Sequence, residues 1–584
     1  MPCFPQKFVF ELRKDADGKP DAGVRKQFEL IKTLCNRQDV DTIVNAGDAD
    51  REGEIIVRLC IQKALASPKK TLRLWLPDQT PETVKSALAS MKEDKDYDSL
   101  AGEGFARTYI DWLYGVNLSR YATLRSGRLL RVGSVIVRIV HEIYERDKVI
   151  SKFVPQKYYA VLSNAETNGM AVELLSKCKF DASAKKEASA LCEAYNRAGA
   201  KVTSLKSTKS VLSPGKLYSL SKLQNVLGKK YKMNMTDSLA IVQKLYEAGY
   251  LTYPRTDSEY LATAEKDKVR QILSGISKLG YSVAFKDGKN IFDDSKIESH
   301  SALTPTFRIP SPGALTEDEK KVYSTVLRRF VAVFCKEECM VAKTEMKIAV
   351  GDLEEFVLRG MTVLTPGWTK YDDHSQKDKL LPALKKGDSV NVCFAPVEKE
   401  TTPPKHYTIE TLNQFLKNPF KEEKTAQKEN EEGKDTDDSA EYKAMFEGVQ
   451  LGTEATRTAI IDNARKSQYI VLKKDVYYIQ PAGEHLVESL SDFHIGMDKF
   501  KTCEVGKVLK KVYHGTLSLE ESLDFARKEI GETFRYADES PETDCGFFGD
   551  EVGTCPLCGG TVRRTGFGYG CAEYQKGCKF SVRQ

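Results

Sequence analysis

Hydrophobic and polar positions follow two rhythms along this chain of 584 residues. Near the start, short apolar runs around Phe8–Leu12, Thr42–Ala46 and Leu72–Leu76 predict strands. Between them, Phe28, Ile31 and Leu34 recur at helical spacing, and a second helix is predicted from Glu54 to Ala64. Such alternation predicts a parallel sheet with ligands at the carboxyl ends of its strands. From Thr80 to Arg146 the period is helical, and Tyr158–Ser163 and Met170–Leu175 then read as extended. Residues 215–345 return to helix with stop signals at Gly228 and Gly249, Thr344–Leu364 is extended again, and a helical region follows from about Thr408. No internal repeat is evident.

The length suits about three to five domains, because single cores seldom exceed ~200–250 residues. With 89 Lys+Arg against 83 Asp+Glu the net charge is +6, so a basic groove would have to come from uneven distribution. No charged-then-apolar leader opens the chain, and no apolar run approaches the ~20 residues that span a bilayer. The expectation is a soluble, cytoplasmic protein with no membrane partner. Lys417–Glu441 has almost no apolar residues and reads as an exposed, solvated insertion, since it cannot offset the entropy of its own ordering.

Three constellations carry candidate chemistry. In Asp48-Ala49-Asp50-Arg51-Glu52-Gly53-Glu54, behind the strand Thr42–Ala46, Asp48, Asp50 and Glu52 alternate in a loop that leads into a helix. Hard oxygens so spaced can converge on Mg²⁺, which keeps open positions for phosphate oxygens. The alternative is an acidic loop that simply caps the helix after it.

The second is Gly249-Tyr-Leu-Thr-Tyr253-Pro-Arg255-Thr-Asp-Ser258. Thr236 or Asp237 can cap a helix with Leu239, Val242, Leu245 and Tyr246 on its apolar face, and Gly249 is placed to end it. Tyr253 then sits in a turn restricted by Pro254. A phenol there can attack a phosphodiester, with Arg255 as a cation for the phosphate. With 26 tyrosines in the chain, a core tyrosine is the competing reading.

The third is Cys555-Pro-Leu-Cys558 followed by Cys571 and Cys578, four of the 14 cysteines, in a short Gly-rich tail. The spacing fits a tetrahedral structural zinc ribbon, and the second cysteine pair argues against a redox Cys-x-x-Cys. Arg563, Arg564, Tyr569 and Phe580 there suit stacking on single strands or packing of the ribbon itself.

Further motifs join these in order along the chain. They are Arg107-Thr-Tyr-Ile-Asp111-Trp-Leu-Tyr-Gly-Val-Asn117-Leu-Ser119-Arg120, then Ser299-His300-Ser-Ala-Leu-Thr304-Pro-Thr306, then Leu451-Gly-Thr453-Glu-Ala-Thr456-Arg457. Together the set resembles the type IA DNA topoisomerases over almost the whole chain, and the C-terminal half is most similar to bacterial topoisomerase III-type enzymes. The resemblance implies a multidomain α/β plus mainly α fold: a partial Toprim domain at 1–95, a helical core with a DNA groove at 96–152, and β-rich arch segments at 153–214 and 344–405. It further implies a helical domain bearing the tyrosine at 215–343, a helical core segment at 406–540 containing the insertion 417–441, and a zinc ribbon at 550–584, the core being a toroidal padlock.

By the same resemblance Tyr253 is the nucleophile, Arg255 steadies the scissile phosphate and His300 lies near the site. Asp48, Asp50 and Glu52 would hold Mg²⁺, and Cys555, Cys558, Cys571 and Cys578 a structural Zn²⁺. Arg107, Arg120, Thr453, Thr456 and Arg457 would contact DNA, positioning the single strand without reading its sequence. The implied activity is ATP-independent breakage of single-stranded DNA through a 5′-phosphotyrosyl link, strand passage and rejoining. The implied partners are single-stranded and negatively supercoiled or catenated DNA, with a helicase as candidate helper, in a nucleoid-associated setting.

Two departures from the family pattern stand out. The family opens with an apolar strand leading into a Glu-Lys-Pro-Ser-like motif, and nothing of that kind precedes the acidic loop here. The expectation is therefore that the first part of the Toprim fold is missing and that the chain alone turns over poorly. In Val132-Gly-Ser134-Val-Ile136-Val-Arg138, Ser134 and Ile136 stand where the family has an arginine and a glutamine facing the groove, with Arg131 or Arg138 as substitutes. A non-catalytic single-stranded-DNA-binding paralogue is the competing function.

Overall fold

The computed structural model describes residues 2–15, 18–77, 81–297, 300–373, 380–419, 451, 454–493, 495, 499–538, 551–565, 568–573 and 577–583. The expected insertion at 417–441 lies outside these beyond its first three positions, and Thr453 lies outside them as well. The chain divides into two compact units. One comprises Met1–Asp147, Leu220–Asp257 and His406–Gln584, the other Lys148–Ser219 and Ser258–Lys405.

The first unit is organised around the 29-residue helix Asp98–Ser126. Its apolar residues are not confined to one stripe: Ala106, Ile110, Leu113, Leu118 and Ala122 are all essentially inaccessible. A helix apolar on several sides belongs inside, and this one packs against the helices Arg51–Ala64, Lys499–Tyr513 and Leu519–Asp538. Beside it lies a three-stranded sheet in which Thr42–Asn45 pairs in parallel with Lys70–Arg73, and Lys70–Arg73 pairs antiparallel with Lys92–Glu93. The helices Ala22–Cys35 and Arg51–Ala64 follow the predicted alternation.

The predicted strand at Phe8–Leu12 does not form. Phe8 instead stacks on Tyr109 with ring centroids 4.0 Å apart, and the amide of Asn117 holds the backbone of Cys3 in both directions. The aromatic residues Phe8 and Phe10 of this segment cover the long helix rather than joining a sheet.

In the second unit, Glu354–Thr365, Met340–Val350, Ala200–Val211 and Ser389–Val390 form an antiparallel sheet in that order. A second sheet is ordered Phe394–Glu400, Lys157–Thr167, Met170–Asp181. The helix Lys185–Ala198, hidden from the sequence reading by its place among strands, buries Ala188, Cys192 and Tyr195 against Val161, Ile348 and Phe394. The helical part of this unit includes Lys266–Ser277 and Glu317–Val333, the latter opened by a Thr316/Glu319 capping box.

The tail folds as a four-stranded antiparallel sheet of Glu551–Thr554, Thr561–Thr565, Gly568–Cys571 and Ser581–Arg583. Among the described residues no helix is long and apolar enough to cross a membrane.

Candidate active site and metal centre

The strand Thr42–Asn45 ends in a loop that enters the helix Arg51–Ala64, one turn earlier than predicted. Asp50 is the N-cap: its backbone is extended, and its Oδ1 accepts from the Gly53 amide at 2.6 Å. A Cβ on Gly53 would lie 2.3 Å from the Asp48 carbonyl oxygen, so only glycine lets the first helical turn press against the loop. The early helix start separates the three acids. Asp48 and Asp50 stay in the loop, whereas Glu52 sits on the first turn with an oxygen 3.7 Å from Arg51.

The helix Met235–Glu247 delivers the tyrosine. Its N-cap is Asn234, whose side chain accepts from the Asp237 amide at 2.9 Å, rather than Thr236 or Asp237. At its other end Gly249 adopts a φ of 74° and turns the chain. Tyr253 then follows fully buried, at 1% exposure. Its amide donates to the Pro77 carbonyl, and its ring meets Tyr246 edge to face at 5.4 Å.

The Tyr253 hydroxyl donates to Asp50 Oδ2 at 2.7 Å, joining two motifs 203 residues apart in sequence. Arg255 Nη1 lies 3.7 Å from the same oxygen, and the buried Arg255 Nε has no hydrogen-bond partner among the described residues. Burial, followed by the charge of Asp50 and its hydrogen bond, pushes the Tyr253 pKa far above that of an ordinary phenol, so the hydroxyl keeps its proton at neutral pH. Burial and then the neighbouring Asp50 raise the Asp48 carboxyl too, while Arg255 opposes them. A buried phenol, the Asp50 carboxylate and the Arg255 guanidinium thus meet, with the Asp48 carboxyl close enough to feel their charges.

Arg107, on the long helix, donates to the Thr456 hydroxyl at 3.3 Å and lies 3.6 Å from Asp111. Burial and then the like charge of Arg51 press its guanidinium pKa down. Arg120 is exposed on the same helix. Arg457 is buried, and its Nε donates to the Leu451 carbonyl at 3.1 Å. Of the two substitutes considered beside Ser134 and Ile136, Arg138 is buried against Glu142 at 2.6 Å, whereas Arg131 is exposed. Ile136 belongs to the core.

His300 lies in the second unit and is 4% exposed. Its segment is held by the Ala302 amide on the Tyr260 carbonyl and by the Leu303 amide on the Tyr218 carbonyl, both at 2.8 Å.

Sequence reasoning missed Arg73 and Glu54. Arg73 closes the strand Lys70–Arg73 with its side chain wholly buried, its Nε 2.6 Å from Glu54 Oε2. The available signal was an arginine inside the apolar run Leu72-Arg73-Leu74-Trp75.

Among the described residues, the group of three or more metal-ligating side chains that the fold gathers tightly is Cys555, Cys558, Cys571 and Cys578, with all sulfurs within 4.8 Å of one another. The Cys558–Cys571 and Cys555–Cys578 separations, 3.4 and 3.6 Å, are far beyond the ~2.05 Å of a disulfide. They fit a tetrahedron with Zn–S of ~2.3 Å, in which sulfurs stand ~3.8 Å apart. The amides of Leu557 and Glu573 point at Cys555 and Cys571, as thiolate ligands require. Asp48, Asp50 and Glu52 are not gathered in this way. The chemistry of Asp48 and Asp50 suits a hard cation, while Glu52 is turned toward Arg51.

The pattern of a family described as DNA topoisomerase matches residues 95–524. A DNA topoisomerase 3 of Bacillus licheniformis is 31% identical, with 79% of this chain aligned to 64% of that protein. One from Bacillus thuringiensis is also 31% identical, with 96% of this chain aligned to 76% of it. The solved full-length topoisomerase I of Thermotoga maritima shares the fold with a TM-score of 0.69, covering 97% of this chain and 91% of that one at 20% identity. The order of motifs, the meeting of the tyrosine with the acidic loop and these similarities agree: the chain belongs to the type IA DNA topoisomerase family and is topoisomerase III-like within it.

Proposed function

We propose that the chain breaks and rejoins single-stranded DNA with Tyr253 as nucleophile, allowing a second strand to pass between the two steps. The observation that carries this reading is the 2.7 Å hydrogen bond from the Tyr253 hydroxyl to Asp50. A neutral phenol is a weak nucleophile, and a carboxylate in contact with it can take its proton as the oxygen attacks. The Tyr253 Oη–P bond forms as the bond from phosphorus to the 3′-oxygen breaks, and the leaving oxygen takes up a proton. One phosphodiester replaces another of similar energy, so the reverse attack restores the strand without ATP.

Arg255 supplies the positive charge for the phosphate that reaches Tyr253, and its unpartnered Nε is a donor ready for an anionic oxygen. Asp48 and Asp50 are the proposed Mg²⁺ ligands, with Glu52 in support from the helix start; the cation, when bound, offsets phosphate charge. Arg107, Arg120 and Thr456, with Thr453, are proposed to hold the DNA backbone, while the buried Arg457 supports them through its bond to the Leu451 carbonyl. For His300 a role near the scissile phosphate rests on the family motif. The N-terminal part of the first unit is read as Toprim-like, and the four-cysteine tail as a zinc ribbon.

Incubating the chain with end-labelled single-stranded oligonucleotide and Mg²⁺, followed by denaturing electrophoresis, tests the proposal. A protein-linked labelled band is expected from the wild type and none from Tyr253→Phe. Binding without any such band would favour the non-catalytic paralogue.

A further inference from the structure

We infer that Arg73 is a positioning residue: its guanidinium grips the backbone of the acidic loop and thereby sets Asp50 against the Tyr253 hydroxyl. The inference rests on the proposed role of Tyr253 for its catalytic consequence, though not for the grip itself.

A wholly buried guanidinium is costly unless each donor is met. Here Nη1 donates to the carbonyls of Gly47 at 2.8 Å, Leu74 at 2.9 Å and Asn45 at 3.2 Å, and Nη2 donates to the Asp48 carbonyl at 2.7 Å. Nε makes no hydrogen bond among the described residues, and the charge is met there by Glu54 Oε2 2.6 Å away, Glu54 itself being 0% exposed and also paired with Arg58 at 2.9 Å. The guanidinium carbon lies 5.0 Å from the centre of the Trp75 ring and 5.9 Å from that of Tyr97, which restricts its rotation.

Three of the four carbonyls belong to Asn45–Asp48, the turn between the strand and the helix. From Asp48 the linkage continues through short contacts. The Asp50 amide donates to the Asp48 carbonyl at 2.8 Å, and the Asp50 carboxylate accepts from Gly53 and from Tyr253. Arg73 is therefore linked to the phenol through three hydrogen bonds.

The choice of acceptors matters. Arg73 binds carbonyls and the buried Glu54, and leaves the Asp48 and Asp50 carboxylates un-neutralised for a proton, a cation or Arg255. An arginine salt-bridged to those acids would hold the loop equally well and quench its chemistry.

Arg73→Lys keeps one positive charge for Glu54 but cannot span four carbonyls. Two readouts are compared with the wild type. Hydrogen exchange of amides 45–53 should quicken at least about tenfold, with the helix Asp98–Ser126 unchanged. The single-turnover rate of covalent adduct formation should fall by about 10²-fold, the scale of a ~1 Å misplacement, while single-strand affinity stays within about twofold. In an Asp50→Asn background the same substitution should add little, because both act through one contact.

Unchanged exchange together with an unchanged rate overturns the inference, as does a loss of DNA affinity that matches the loss of rate. If Tyr253→Phe still forms adduct, the reading of Tyr253 fails and the exchange measurement alone decides on the grip. Should Arg73→Lys fail to fold by circular dichroism, Glu54→Gln takes its place. It preserves all four carbonyl bonds, so exchange and rate should remain within about threefold, and a hundredfold loss there would transfer the role to the ion pair and overturn the assignment to the fork.

Discussion

Tyr253 and Asp50 show how two motifs acquire meaning from one contact. Each had an ordinary reading in the sequence, a core tyrosine and a helix cap, and in the structure Asp50 does cap its helix while also accepting from Tyr253. A hydrogen bond to a charged group is worth about 1.5–3 kcal/mol. Tyr253→Phe should therefore lower stability in denaturant titration by about 1–3 kcal/mol, abolish adduct formation and leave single-strand affinity within about twofold. At Gly53 the added methyl of Gly53→Ala would meet backbone rather than a movable side chain. Adduct formation should fall more than tenfold in a protein that remains folded by circular dichroism, and an undiminished rate would show that the loop tolerates displacement. The candidate residues were legible because they lie in local motifs; Arg73 was not, because its acceptors are carbonyls of a distant strand end that no side-chain pattern encodes.

At the scale of elements, periodicity succeeded where one face of an element is dry. The helix Met235–Glu247 and the strand Met340–Val350 appear near their predicted places because several i, i+3, i+4 or alternate positions are buried, and Glu354–Thr365 follows as the ladder partner of Met340–Val350. It failed at Phe8–Leu12, where apolar residues cover a helix, and at Lys185–Ala198, a helix within a β-rich stretch. Ile110, at 0% exposure in the centre of the long helix, should cost about 2–5 kcal/mol when truncated in Ile110→Ala, read as a shift in the unfolding midpoint. The gathering of Cys555, Cys558, Cys571 and Cys578 was legible from four cysteines alone, because ligand spacing is a covalent property of the chain. About one zinc per chain is expected by elemental analysis. Cys558→Ala should lower that value and speed hydrogen exchange in residues 551–583 while sparing the helix Asp98–Ser126; wild-type protein purified without chelator that holds no zinc would contradict the site.

At the scale of the whole molecule, family membership followed from the order of motifs spread over most of the chain, whereas the division into two units, between which the chain passes four times, could not be read from periodicity. The chain spans 64–76% of the length of the first two relatives it matches. The role proposed for Tyr253 is the covalent link to DNA. It is tested most directly by trapping the chain on single-stranded oligonucleotide with Mg²⁺, digesting the complex with nuclease and protease, and locating the residual nucleotide by mass spectrometry. A nucleotide attached through its 5′-phosphate to the peptide containing Tyr253 is the predicted result; attachment at any other residue, or no attached nucleotide under conditions where the oligonucleotide is bound, would contradict it.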